Sequence, residues 1–492
     1  MKKTYFLSIL LLATLIIIPS CEKKEIKIGG ETDNLVSKFV YDGMSSLYLW
    51  NNELIGKAPS ENDTNPEKYF YSLLNKTDTE HGWSWITNDA EGLKAEFAGE
   101  PKAFGYTLSF MRNKDDIYAL VKYVYENTPA QEAGMNRLDF IGKVNGRKIT
   151  ADAEGYISSA DVEALYGNNS VKLTIYKLTE EGFDEDREIT ITPRIVQTNP
   201  VLYSDIYKEG NKKIGYLVYN SFISNFNDKL FDVFKEFKRE KVDELILDLR
   251  YNHGGEVSAA QFLASMIAPE EEVKKKPIFT KLSYNKEIGS NIYKLGETDK
   301  NQTNPIEANL NLNKVYIIAT SDSYSASELT TFCLREFMNV VHIGNKTGGK
   351  YTASITVHPF NEELGYPLYP SEFFPRTSLA EAAKERLANW AMQPIVAKYT
   401  NNKGDDFIAT DGLLPDVELK EGFGYIDLWT QFGDIKDVLL GQALYEITQN
   451  SNYKPIKPKS TRGSDMAADK IKVKSINKAD EIRRNSVILD SF

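Results

Sequence analysis

Cysteine is almost absent from this sequence of 492 residues, which has two, Cys21 and Cys333. A disulfide framework is therefore excluded, and stability must come from packing. Histidine is nearly as scarce. His81, His253, His342 and His358 are scattered along the chain, none has the spacing of a metal-ligand set, and no metal or other cofactor is expected. Positive charge is in deficit, with 59 Lys and Arg against 70 Asp and Glu and a formal net charge of -11. Phosphate binding draws on clustered basic side chains, so nucleic acid is excluded as a partner. The apolar stretch from Tyr5 to Ile18 falls short of the roughly 20 residues that span a bilayer. The sequence does have 41% hydrophobic and 12% aromatic residues, enough for sizeable cores in about three domains.

The amino terminus is ordered like a secretory signal over residues 1–20: Lys2 and Lys3, the apolar run, then Pro19-Ser20-Cys21 and the charged Glu22-Lys23-Lys24-Glu25. Ile18-Pro19-Ser20-Cys21 resembles the bacterial lipobox, with proline at the second position as a departure. The resemblance implies acylation of Cys21 and a chain lipid-anchored in the bacterial cell envelope, on a membrane it does not span. The sequence does not choose between a periplasmic and a surface face. Residues 21–34 then read as a tether.

Between residues 35 and 95, Val36, Phe39, Val40 and Met44, then Tyr69, Phe70, Leu73 and Leu74, fall at helical spacings around a Pro/Asn/Asp-rich loop, so a small helical domain is expected. Residues 96–195 change to short β-rich runs. There Phe104-Gly105-Tyr106-Thr107 precedes a strand, and Thr128 to Gly134 leads into Asp139-Phe140-Ile141-Gly142-Lys143-Val144-Asn145-Gly146. Together these resemble a PDZ domain, which implies a peptide-binding loop at Phe104, Gly105, Tyr106 and Thr107 and recognition of extended C-termini by strand addition. Residues 196–450 alternate strand and helix: Ile214–Tyr219, a helical face of Leu230, Val233, Phe234 and Phe237, Leu245–Leu249, Ala259–Ile267, Val315–Ala319, Leu329–Phe337 and Val340–Ile343. This alternation predicts an α/β core of parallel strands. Residues 268–312 interrupt it, either as a substrate-facing flap or as a surface excursion. The polar tail 451–492 is expected to be disordered.

Three segments have the residues for chemistry. Ser321 to Glu328 lies between a buried strand and a helix, where unpaired amides and the helix dipole favour negative charge and an oxyanion finds donors. Ser325-x-x-Glu328 also has the form of a capping box, and on these residues alone both readings stand. Gly348-Gly349-Lys350 follows a strand, with Lys350 twenty-five residues after Ser325. Leu247-Asp248-Leu249-Arg250-Tyr251-Asn252-His253-Gly254-Gly255 closes another strand on paired glycines, as a ligand loop or as a tight turn.

The three motifs with this spacing resemble the C-terminal processing, or tail-specific, serine peptidases, over roughly residues 35–445. The resemblance implies a crotonase/ClpP-like α/β peptidase core, Ser325 as nucleophile, Lys350 as general base, and an oxyanion hole from the Ala326 amide with that of Gly254 or Gly255. Family members often have a glutamine four residues after the lysine; here that position is Ser354. Glu336 is the other candidate for the third catalytic place, since some members have an acid there. His253 is the rival base. A lysine serving as base must be neutral, and lowering its pKa from about 10.4 to about 7 disfavours the charged form by about 4 to 5 kcal/mol, which burial can supply. The implied partners are protein or peptide substrates, engaged through their C-termini. A peptide-binding lipoprotein with an inactive core is the alternative. Oligomeric state is not legible.

Overall fold

The computed structural model describes residues 33–152, 155–179, 182–298, 303–419 and 429–455, and the backbone of 466–467, 472–473 and 487–488. The signal segment, Cys21, the tether up to residue 32 and most of the 451–492 tail lie outside the described residues. Among the described residues no helix is long and apolar enough to cross a membrane.

A six-stranded sheet runs in the order Val201–Glu209, Lys212–Tyr219, Glu244–Asp248, Lys314–Ala319, Asn339–Gly344 and Val417–Glu418. Its first pairing is antiparallel and the other four are parallel. The two central strands read Glu-Leu-Ile-Leu-Asp and Lys-Val-Tyr-Ile-Ile-Ala because both faces are covered, and a parallel strand buried on both sides needs an unbroken apolar run. Leu245, Leu247, Val315 and Ile317 face helices Asn227–Arg239, Val257–Ile267 and Ala326–Leu334. On the opposite face Ile246, Tyr316 and Ile318 pack with helix Val438–Thr448. The predicted α/β class and parallel strands are thus what the chain forms.

Within residues 268–312, the described residues 278–294 give a hairpin to a second sheet. After the short helix Glu270–Lys274, the hairpin of Ile278–Tyr284 and Ser290–Lys294 pairs through its first strand with Ile395–Thr400, which in turn pairs with Thr352–Ser354. Phe279 and Leu282 are fully buried there, so this segment is neither a free flap nor a plain excursion.

Helices Leu35–Leu47, Pro66–Leu73 and Lys76–His81 fall within the expected helical span, and Asn65 and Asn75 cap the second and third. Their apolar faces, including Phe39, Met44 and Phe70, share one hydrophobic core with the α/β unit. Backbone continuity reinforces the contact: the Leu49 amide donates to the Ile395 carbonyl at 2.9 Å, and Trp85–Thr87 pairs with Ala391–Gln393. The β-rich unit is separate, with its own core inside a sheet built from Tyr106–Asn113, Asp116–Val124, Phe140–Val144, Val171–Leu178 and Phe183–Ile191.

Candidate active site

Three loops leave the carboxyl ends of three adjacent parallel strands, the edge where open α/β sheets place their ligands. Glu244–Asp248 runs into the Arg250 to Gly255 turn, Lys314–Ala319 into Ser325, and Asn339–Gly344 into Lys350.

Ser325 stands immediately before helix Ala326–Leu334 with φ 63° and ψ -115°. A left-handed φ on a residue with a Cβ costs about 1 to 3 kcal/mol and persists only where the surroundings impose it. The surroundings are a net of side-chain bonds to the neighbouring turn. Ser323 Oγ donates to the Leu249 carbonyl at 2.7 Å, Ser327 Oγ to the Asn252 carbonyl at 2.8 Å, and the Tyr324 amide to the same Asn252 carbonyl at 3.0 Å. Ser325 is fully buried and its Oγ has no hydrogen-bond partner among the described residues. Glu328 fills its place in the cap by accepting the Ser325 amide at 2.8 Å. The turn has the form of a capping box between Ser325 and Glu328.

The glycine turn is held from below by a buried ion cluster. Arg250, fully buried, donates to Asp248 at 2.9 and 3.1 Å and to Asp437 at 2.8 and 3.0 Å, and Asp248 also accepts the Tyr216 hydroxyl at 2.8 Å. Asn252 shapes the turn itself, donating to the Tyr219 carbonyl at 2.9 Å and accepting the Gly254 amide at 2.8 Å. Gly254 has φ +105°, and a Cβ there would lie 2.7 Å from Ser325 Cβ and 3.0 Å from both Ser325 Oγ and the Ala326 nitrogen. Only glycine lets the turn approach the serine this closely. The Gly254 amide is thus engaged with Asn252.

Lys350 is fully buried, and its Nζ also has no hydrogen-bond partner among the described residues. Burial pushes its pKa down to about 7, against the pull of the Asp78 and Glu328 carboxylates in the opposite direction. Glu328 ties the two loops together. One carboxylate oxygen accepts the amides of Ser325 at 2.8 Å and Lys350 at 2.9 Å, and the other accepts the Gly349 amide at 2.7 Å and the Thr347 hydroxyl at 2.5 Å. Burial nonetheless raises the Glu328 pKa to about 7. The Tyr399 hydroxyl closes the far side, donating to the Lys350 carbonyl at 2.8 Å.

The structure thus brings Ser325, Ala326, Gly254, Gly255 and Lys350 together. Ser354 is buried on the strand that follows Lys350, opposite Ile395. Glu336 is not drawn into this cluster; its carboxylate meets Asn401 at 3.1 Å and Lys403 at 2.6 Å. No histidine bonds Ser325 Oγ. His253 lies beside Tyr324, with ring centroids 6.2 Å apart, and His342 is engaged with the Ala319 and Leu414 carbonyls. In the β-rich unit Phe104 and Tyr106 are buried, Gly105 has φ +92°, and Thr107 is the second residue of the strand that pairs with Asp116–Val124. That unit touches the site loops: Lys122 pairs with Asp322, and Arg137 donates to the Tyr251 hydroxyl at 3.1 Å. Sequence reasoning missed Asp78, Asn252 and Asp437, and read Glu328 only as a cap. The one local signal was the capping-box glutamate, whose reach to Lys350, twenty-two positions on, has no sequence signature.

A buried serine and a buried lysine, joined through one carboxylate at the carboxyl edge of a parallel sheet, define an α/β fold with a Ser/Lys site. The comparisons with known proteins give the family. Residues 213–419 match the model for peptidase family S41 and residues 36–85 match that for the peptidase S41 N-terminal domain; the chain belongs to peptidase family S41. It is 24% identical over 320 residues to a CtpA-like serine protease of Staphylococcus aureus (strain MRSA252), covering 64% of this chain and 56% of the relative. A CtpA-like serine protease of Staphylococcus saprophyticus is 23% identical over 278 residues, covering 56% of this chain and 50% of that protein. The chain thus spans about half the length of the curated relatives it matches. A solved S41 protease structure from Bacteroides fragilis NCTC 9343 superposes with a TM-score of 0.65 at 25% identity, covering 84% of this chain and 97% of the other.

Proposed function

We propose that the chain is a serine endopeptidase of the C-terminal processing type, with Ser325 as nucleophile and Lys350 as general base. The observation that carries this reading is the state of Lys350: burial depresses its pKa to about 7, and one glutamate holds its backbone in register with Ser325. A lysine free of its proton near neutral pH is what a serine hydroxyl needs as base. Neutral Lys350 takes the Ser325 proton as Oγ attacks the peptide carbonyl. The oxyanion is met by the amide of Ala326 with that of Gly254 or Gly255. The proton then passes from Lys350 to the leaving amine, the C–N bond breaks, and an acyl-Ser325 ester remains. Lys350 next deprotonates a water that attacks this ester, and the proton returns to Ser325 as the carboxylate product leaves.

The β-rich unit serves as the PDZ-like reader of substrate C-termini, at the Phe104 to Thr107 loop and the Tyr106–Asn113 strand. The lipid on Cys21 holds the enzyme at a membrane of the bacterial envelope. Unfolded or exported proteins are the substrate class.

The test incubates the wild-type mature chain, Ser325→Ala, His253→Ala and Lys350→Ala with an unfolded protein substrate. Cleavage by wild type and His253→Ala but not by Ser325→Ala supports the assignment. Loss in His253→Ala with retention in Lys350→Ala overturns the choice of base. Cleavage equal in wild type and Ser325→Ala, or absent from both, favours an inactive peptide-binding lipoprotein.

A further inference from the structure

The third catalytic place is open on the sequence, and Glu328 is occupied by four donors that join the loops. Asp78 is different. It comes from the N-terminal helix Lys76–His81, is fully buried, and accepts the Tyr48 hydroxyl at 2.8 Å, the Ser84 hydroxyl at 2.5 Å and the Ser84 amide at 2.9 Å. Three neutral donors orient this carboxylate without neutralising it, and an ionised carboxylate with no counter-charge is costly to bury.

The segment that follows Asp78 is clamped to the chain just after Lys350. Trp83 stands edge-on to the ring of Tyr351, the next residue after Lys350, at 5.2 Å between centroids. Ser84 Oγ accepts the amide of Ile395 at 2.8 Å, and Ile395 is the strand partner of Ser354. Two charged groups act on Lys350, Asp78 from the N-terminal helix and Glu328 from the helix that follows the nucleophile. Burial raises the Asp78 pKa, while its bonds to Ser84 and Tyr48 and then the charge of Lys350 pull it back down.

We infer that Asp78 is the positioning residue for Lys350, a buried counter-charge that the N-terminal helical unit supplies to hold the ammonium formed when the lysine takes the serine proton. The inference rests on Lys350 being the base. The N-terminal unit thereby completes the site instead of only packing against it. Asp78 touches neither substrate nor Ser325 and acts through the lysine alone.

The test compares Asp78→Asn with Leu73→Ala, which opens a cavity in the same helical unit without removing charge. In Asp78→Asn, kcat should fall roughly 100-fold, the low end of what general-base catalysis contributes, with KM held. The pH midpoint of kcat/KM should move to lower pH by about one unit, since loss of a nearby anion lowers a lysine pKa. Leu73→Ala should lose stability with its midpoint in place. A wild-type midpoint in Asp78→Asn overturns the inference.

A stability cycle of wild type, Asp78→Asn, Lys350→Met and the double variant at pH 6 reads the pair without any turnover. Asp78→Asn should destabilise less in the Lys350→Met background; equal effects in both backgrounds overturn the coupling. Should Asp78→Asn alone not fold, the double variant should, and its failure to fold would mark Asp78 as structural only. Activity retained by Lys350→Met would sink the base assignment, while the cycle would still report on the pair.

Discussion

Lys350→Met separates stability from catalysis. Methionine has a similar length and no charge, so it fits the buried slot with little change in volume. Burial holds the wild-type lysine at a pKa of about 7 instead of 10.5, a depression worth about 5 kcal/mol against the charged form. The sign follows from proton counting. Between pH 7 and 10.5 the unfolded lysine binds a proton and the folded one does not, so wild-type stability rises with pH across that window; below pH 7 the burial cost is felt in full. The methionine variant lacks this dependence. Chemical denaturation should find Lys350→Met more stable than wild type by several kcal/mol at pH 6. The gap should narrow by about 1.4 kcal/mol per pH unit between pH 7 and 9, and the variant should cleave nothing. A gap independent of pH, or a methionine variant less stable than wild type throughout, would refute a neutral buried lysine and the mechanism with it.

Glu328→Gln sets an amide NH2 against backbone amides that need an acceptor. It should cost about 2 to 4 kcal/mol in urea unfolding and lower kcat by roughly 100-fold or more, since serine and lysine lose their shared support; wild-type kcat would show that the carboxylate is dispensable. Gly254→Ala places a methyl group 2.7 Å from Ser325 Cβ on a backbone with positive φ. It should fold with a loss of about 1 to 3 kcal/mol and fail to react with a fluorophosphonate probe that labels wild-type Ser325, as read by intact mass. Wild-type kcat/KM should rise with pH through a midpoint near 7, as the buried lysine loses its proton; a rate that falls across that midpoint would exclude Lys350 as the base.

Much of the α/β core was legible because parallel strands buried on both faces require runs such as Leu245 to Leu247 and Val315 to Ala319. The helix at the nucleophile starts at Ala326, ahead of the apolar face at Leu329 that signals it, because its first turn is polar and committed to the neighbouring glycine turn. Residues 268–312 were ambiguous: their strand partner, Ile395–Thr400, is remote in sequence, and edge hairpins have weak periodicity. At the site, Ser325 and Lys350 were found through spacing that matches a family. Asp78 was not, since its role depends on how the N-terminal helices dock, and a local reading of Lys76 to His81 sees only a short polar helix. Glu336, in contrast, had a suggestive position but turns to Asn401 and Lys403.

The double grip of Glu328 on the amides of Ser325 and Lys350 has a consequence for how such a site tolerates change. The register between the proposed nucleophile and base is stored in one carboxylate and two backbone N–H groups, not in the stretch of chain that links them. Substitutions or small insertions around Arg335 to Asn339, at the far end of the helix, are expected to leave the reacting atoms where they are, so the scaffold can drift while the chemistry stays fixed. The same economy is a vulnerability: a single altered atom in Glu328 uncouples both partners at once.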